Sequence, residues 1–300
     1  MSIVPLRKFV SKNLALRVAS AAVFAALFFA LYRFGEAPAA KLAFLGVLAI
    51  AAFLGVREAA LIGRKMGHFP SIGAATILAW GILAHCYIWG TPGGQQGEIL
   101  PLWLVMFGGC IVIHIGALIS KQRLDRSLTS QGATWLAGLY MGIALGFQQK
   151  LFMFNQTTLD NTGARLLLAL FVIVWLGDTG AYFVGKAIGK HKLAPRVSPK
   201  KTWEGAFGNI VGNLAGAALI KHFICTEWSY IDMVAIALLL GVAGMLGDLV
   251  ESSWKRSADV KDSYFGIQIP GHGGILDRID SLAFAAPALY AYVRYVHGLV

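Results

Sequence analysis

Apolar residues in this chain gather into long blocks. Nine stand out, at roughly 14-32, 41-56, 71-89, 99-119, 131-147, 165-185, 205-222, 231-249 and 279-297. A helix needs about 20 apolar residues to cross a hydrocarbon layer ~30 Å thick, and most of the blocks approach that length. The second is short and extends toward Arg57 and Glu58. An isolated strand would be far shorter, and period-two alternation is absent, so each block predicts a helix. The expected fold class is all-α: a polytopic integral membrane bundle of about nine transmembrane helices.

Composition supports this. Of 300 residues, 57% are hydrophobic and 14% charged, against about 25% charged in an ordinary soluble domain. Mean hydropathy is +0.65. A soluble enzyme and a disordered chain are both disfavoured. The net charge of +11 would suggest nucleic acid in a soluble protein. Here it has a topological reading. With the N-terminus in the cytoplasm and nine alternating spans, 20 of the 26 Lys and Arg fall inside and 6 outside. That is the bias expected of a cytoplasmic N-terminus and an outer C-terminus, and no nucleic-acid partner is expected. The basic start, apolar stretch and Ala37-Pro38-Ala39 also resemble a cleaved signal, but the length of the stretch favours a span. Cys86, Cys110 and Cys225 lie in or beside apolar blocks and read as packing residues.

The chain divides by character. Residues 1-160 are apolar spans with modest loops, a scaffold with lipid access. Residues 161-300 bring charge into the spans and carry two long basic loops, and form the expected catalytic region. Asp248 closes an apolar block, with Glu251 and Ser252 three and four residues on along a continuing helix. Asp277 and Asp280 repeat the spacing where the last block begins. Carboxylates at two neighbouring helix ends suit a hard cation such as magnesium. Lys255, Arg256, Lys261 and Arg278 surround them, which suggests phosphate beside metal. Gly271, Gly273 and Gly274 would let backbone approach a phosphate. Asp178 lies inside another apolar block, where an acid is more often functional than not.

Other features read as structure. Gly208, Gly212 and Gly216 form a small-residue face for close helix packing. His85 and His114 have no ligand partner at helical spacing, so packing or a hydrogen bond is expected. Gly185-Lys186 through His191 lacks the spacing, the hydroxyl residue and the preceding strand of a P-loop. No internal repeat is evident, which weighs against a transporter built from inverted repeats.

Three ordered elements resemble the phosphatidate cytidylyltransferase (CDP-diacylglycerol synthase) family. They are Asp178-Thr179-Gly180-Ala181-Tyr182; Ser198-Pro199-Lys200-Lys201-Thr202 with Glu204-Gly205; and Ser252, Lys255-Arg256, Lys261-Asp262, His272-Gly273-Gly274 and Asp277-Arg278-Ile279-Asp280. Trp254 stands where the family has an aliphatic residue or Phe, and the spacer between Asp262 and Pro270 is longer than the family's.

The resemblance implies cytidylyl transfer from CTP to phosphatidic acid, with Mg²⁺ as cofactor and a second cation left open. It implies Asp248 and Asp277 as first-choice metal ligands. Asp280, Lys255 and Arg256 join them as catalytic residues. Lys200, Lys201, Ser252, Lys261, His272, Arg278 and Asp178 would bind substrate. The expected location is the inner membrane, with the site open to the cytoplasm, and a homodimer is compatible. The rivals are a related CTP-dependent lipid nucleotidyltransferase or lipid kinase, and an ion or phosphate transporter using the same acids.

Overall fold

The computed structural model describes residues 30, 32–89, 100–120, 124–154, 162–263 and 274–296. Counting helices with described bounds, α1 is Pro38–Lys65, α2 Ile72–Trp89, α3 Leu102–Ile119, α4 Ser127–Phe152 and α5 Thr162–Ile188. Two strands follow, β1 Lys192–Ala194 and β2 Ser198–Thr202, then α6 Trp203–Phe223, α7 Tyr230–Ser257 and α8 Leu276–Ala291. A π-helical turn, Tyr292–Val296, continues α8. The last eight apolar blocks each lie on one of these helices or its continuation. The block at 14-32 lies almost wholly outside the described residues. Among the described residues, five helices, α1, α2, α3, α5 and α7, are long and apolar enough to cross a membrane. Leu42, Ile50, Trp103, Phe107, Leu118, Phe183, Phe207 and Val242 are exposed on them and their neighbours, a distribution suited to lipid rather than water.

The local chemistry explains several boundaries. Pro38 opens α1, where a missing N–H costs nothing. Arg64 and Lys65 close it, favourably placed at the negative end of the helix dipole. Gly67 then turns the chain with φ +84°, and the His68 amide donates back to the Gly63 carbonyl, a glycine-terminated helix end. Thr202 caps α6 by accepting from the Gly205 amide, and Ser229 caps α7 by accepting from the Asp232 amide.

Two packed clusters meet on α8, and both also draw on α4 and α5. In the first, Leu170 and Ile173 of α5 meet Ala217 and Ile220 of α6, Ile236 and Leu240 of α7, and Leu282 and Leu289 of α8. In the second, Leu48, Ala52 and Val56 of α1 meet Ala79 of α2, Ala137 and Met141 of α4, and Leu276 and Ile279 of α8. The first turn of α8 thus belongs to the N-terminal cluster and the rest to the C-terminal one. The glycine face of α6 packs on α5 as its spacing predicts. A Cβ at Gly212 would lie 2.2 Å from the Leu176 carbonyl oxygen, and one at Gly216 2.8 Å from the Ile173 Cα. His85 bonds the Leu100 carbonyl and His114 the Cys110 carbonyl. The three cysteines are free.

The basic stretch after α5, expected as loop, contains an antiparallel hairpin. Lys192 pairs with Thr202 and Ala194 with Ser198, with an irregularity between. Pro199, without an N–H, is tolerated because the sheet is only two strands wide. The Trp203 amide donates to the His191 carbonyl. Glu204 accepts from the His191 amide and meets the ring Nδ1 at 2.6 Å. Its own backbone amide first, and the His191 ring second, hold the Glu204 carboxyl down at about 2, so this tie keeps its negative charge at neutral pH.

Candidate active site at the ends of α7 and α8

The end of α7 and the start of α8 lie side by side because Gly247 leaves room. A Cβ there would lie 2.2 Å from the Asp280 carbonyl oxygen. The close approach brings three carboxylates together. One oxygen each from Asp248, Glu251 and Asp280 lies within 4.8 Å of the others. Asp248 and Glu251 share a helix face by the three-residue spacing, and Asp280 joins from α8.

The donors around this trio are few. Asp248 accepts from Ser252 Oγ at 3.2 Å and pairs with Lys201 Nζ at 2.6 Å. Asp280 accepts from the adjacent Ser281 amide at 2.7 Å. Glu251 is wholly buried, and its Oε2 is paired with Lys255. Its Oε1 finds no hydrogen-bond donor among the described residues. A buried carboxylate oxygen without a donor is costly. An all-oxygen set of three carboxylates with spare lone pairs fits a hard divalent cation.

Asp277, the other first-choice ligand of the sequence reading, stands next to the trio beside Glu251. It lies outside the trio and its oxygens are taken. Oδ1 accepts from Lys255 Nζ at 2.7 Å, and Oδ2 accepts from the amides of Ser263 at 3.2 Å and Gly274 at 3.3 Å. Lys255 therefore bridges Glu251 to Asp277. Arg256 is occupied too, donating to the carbonyls of Val197 at 3.3 Å and Val260 at 3.2 Å, which ties the hairpin to the end of α7.

The remaining sequence candidates divide by position. Lys201 reaches the acids from β2. Lys200, its neighbour, is exposed, as are Lys261 and Arg278. Ser252 is buried against Asp248. Asp178 accepts from Ser281 Oγ at 3.3 Å, which joins α5 to α8 beside Asp280. His272, with Gly271 and Gly273, lies outside the described residues.

Two side chains from the N-terminal helices join the site: Glu58, named in the sequence only as lying past the second apolar block, and Tyr140, which the sequence does not single out. Glu58 of α1 is 3% exposed. Its carboxylate accepts from Ser263 Oγ at 3.0 Å, the Ile275 amide at 3.0 Å and the Leu276 amide at 2.8 Å. Only its acid character inside an apolar helix could have drawn notice. Tyr140 of α4 packs edge-on against Trp254, ring centroids 4.7 Å apart. Its hydroxyl is buried with no hydrogen-bond partner among the described residues. A Tyr in an apolar helix carries no signal of this in the sequence.

Comparison with known proteins gives a consistent result. Residues 15–296 match the cytidylyltransferase family. The chain is 45% identical over 159 residues to a phosphatidate cytidylyltransferase of Bacillus subtilis, covering 53% of this chain and 56% of that relative. It is 47% identical over 196 residues to one from Staphylococcus epidermidis, covering 65% and 70%. A Staphylococcus aureus phosphatidate cytidylyltransferase aligns at 46% over 172 residues, covering 57% and 62%. The aligned stretch spans between 56% and 70% of these relatives' lengths.

Proposed function

Because this chain belongs to the cytidylyltransferase family, we propose that it transfers a cytidylyl group from CTP to phosphatidic acid, as the names of its relatives suggest. CDP-diacylglycerol and pyrophosphate are the products. The observation that carries the reading is the trio Asp248, Glu251 and Asp280, lined by Lys201 and Lys255 at the end of an apolar helix.

A lipid phosphate oxygen attacks the α-phosphorus of CTP. The bond from that phosphorus to the oxygen bridging it to the β-phosphate breaks, and pyrophosphate leaves with both electrons. Positioning and charge neutralisation supply most of the catalysis in such a transfer. A divalent cation, magnesium in this reading, bound by Asp248, Glu251 and Asp280 would neutralise phosphate oxygens and make the α-phosphorus more electrophilic.

The chain's own cations divide the remaining work. Lys201 neutralises Asp248 and is near enough to the acids to reach a phosphate beside them. Lys200, Arg278 and Lys261 are exposed, and their charge would help to hold the triphosphate or pyrophosphate. Lys255 holds Glu251 and Asp277 in place, and Arg256 holds the hairpin. Ser252 orients Asp248, and Asp178 supports the start of α8 through Ser281. His272 is assigned to substrate on the motif alone. The site opens to the cytoplasm, where the basic loops lie and CTP is available.

The test is pyrophosphate release by detergent-solubilised protein given CTP and phosphatidic acid. Release should require both, and dCTP, ATP and other lipid acceptors define the specificity. Formation of CDP from CTP and a lipid alcohol, or no pyrophosphate under any pairing, would overturn the assignment.

A further inference from the structure

We infer that Glu58 is a positioning residue for the acid cluster: a carboxylate of the N-terminal half that sets where Asp280 and Glu251 stand. The inference rests on the metal reading of the cluster.

α8 lacks a cap from its own sequence. Its N-cap residue, Ile275, has no side-chain hydrogen bond to offer, yet the first amides of a helix need acceptors. Glu58 provides them from another helix, more than 200 residues away in the chain. Oε1 takes the Ile275 amide and Oε2 takes the Leu276 amide and Ser263 Oγ. The fit leaves no slack. A Cβ on Gly274 would lie 2.2 Å from Ser263 Oγ and 2.7 Å from Glu58 Oε2, so a side chain there would push both groups out of place.

From this anchor the contacts run to the acids without a gap. Glu58 holds Ser263 and the turn at 274–276. Asp277 accepts from the amides of the same two segments, at Ser263 and Gly274. Asp277 also binds Lys255, and Lys255 binds Glu251. With its first turn fixed in height and rotation, α8 delivers Asp280, three residues past Asp277, to Asp248 and Glu251. A residue that anchored the loop alone would affect stability. A residue that sets the cluster must also affect how tightly the cluster holds a cation, as groups behind a metal's direct ligands do.

The experiment uses the full chain in detergent, without CTP or lipid, and Mn²⁺ as the probe. Bound Mn²⁺ is read from the loss of the free-ion electron paramagnetic resonance signal. Glu58→Gln keeps the shape but turns an amide NH₂ toward groups that are themselves donors. Its Mn²⁺ dissociation constant should rise roughly tenfold or more, with gel-filtration profile and helical circular dichroism unchanged. Ser263→Ala removes one of the three donors and should shift binding the same way by less. Wild-type Mn²⁺ affinity in folded Glu58→Gln overturns the inference and leaves the metal reading standing. If Glu58→Gln does not fold, unchanged affinity in Ser263→Ala overturns it equally. Absence of Mn²⁺ binding by the unaltered chain removes the metal reading and this inference together.

Discussion

The acids of α7 and α8 occupy two regions that look alike in sequence and differ in chemistry. Around the start of α8, every carboxylate oxygen has a donor: Asp277 is held by Lys255 and two amides, and Glu58 by two amides and a hydroxyl. One turn further along, at Asp248, Glu251 and Asp280, three carboxylates crowd together with fewer donors, and one buried oxygen of Glu251 has none among the described residues. Saturated acids hold a fold together. Acids short of donors are prepared for something to arrive. The difference is one helical turn and the rotation of α8 against α7.

The comparison breaks most sharply at the trio. Asp280→Asn and Asp248→Asn each remove one charge with little change of size. Each should lower kcat on the order of a thousandfold, several kcal/mol of lost charge stabilisation, while the denaturation midpoint stays close to wild type. Initial rates with thermal unfolding of the same samples check this. Near-wild-type turnover in both would show that the trio is not the centre of the chemistry.

Asp277→Asn should do the reverse. Asp277 and Lys255 are largely buried, at 15% and 12% side-chain exposure, and removing one partner of such a pair costs about 3–5 kcal/mol. The expected result is a marked loss in chemical-denaturation stability. Protein that remains folded should keep measurable turnover. An Asp277→Asn protein as stable as wild type, yet inactive, would return Asp277 to the metal-ligand role its motif suggested.

Much of this was legible in the chain and some was not. Long apolar blocks marked the helices, because a membrane leaves the backbone few alternatives. The glycine spacing on α6 marked its packing face. Asp248 and Glu251 could be placed together because both lie on one helix, where spacing fixes direction. The motif puts Asp277 ahead of Asp280 as a metal ligand, but which of the two meets Asp248 and Glu251 depends on how α8 is rotated against α7, and Gly247 together with Glu58 decides that. Lys255 and Arg256 read as phosphate ligands by charge, but each has one partner four residues away, Glu251 and Val260, and one that only the fold brings near, Asp277 and Val197. The hairpin was hidden by its charge and its proline.

A smaller effect should sharpen the same comparison within the hairpin. Lys201 touches Asp248, whereas Lys200 is exposed. Lys201→Ala should lower kcat/KM by roughly ten- to hundredfold, as expected for a charge-assisted contact of about 1.5–3 kcal/mol, and Lys200→Ala by less. Steady-state kinetics with varied CTP separates them, and equal losses would show that proximity to the acids is irrelevant. The smallest effect belongs to Ser252→Ala, which removes one neutral donor from Asp248. A loss of about 1 kcal/mol, roughly fivefold in kcat, is expected, and a loss as large as that of Asp248→Asn would mark Ser252 as a direct substrate contact.

The reach of Glu58 also bears on how the molecule is made. Its partner Leu276 lies 218 positions later. At about 5–20 residues per second on the ribosome, roughly 10–40 s separate the two. Through that interval α1 carries an acid near its end with no backbone donor from α8 to receive it, an expensive arrangement within a membrane. The newborn chain thus holds a built-in mark of incompleteness, erased only when its final helix arrives. A chain stopped at residue 260 should be degraded faster than the same fragment carrying Glu58→Ala, and pulse-chase labelling would register the difference.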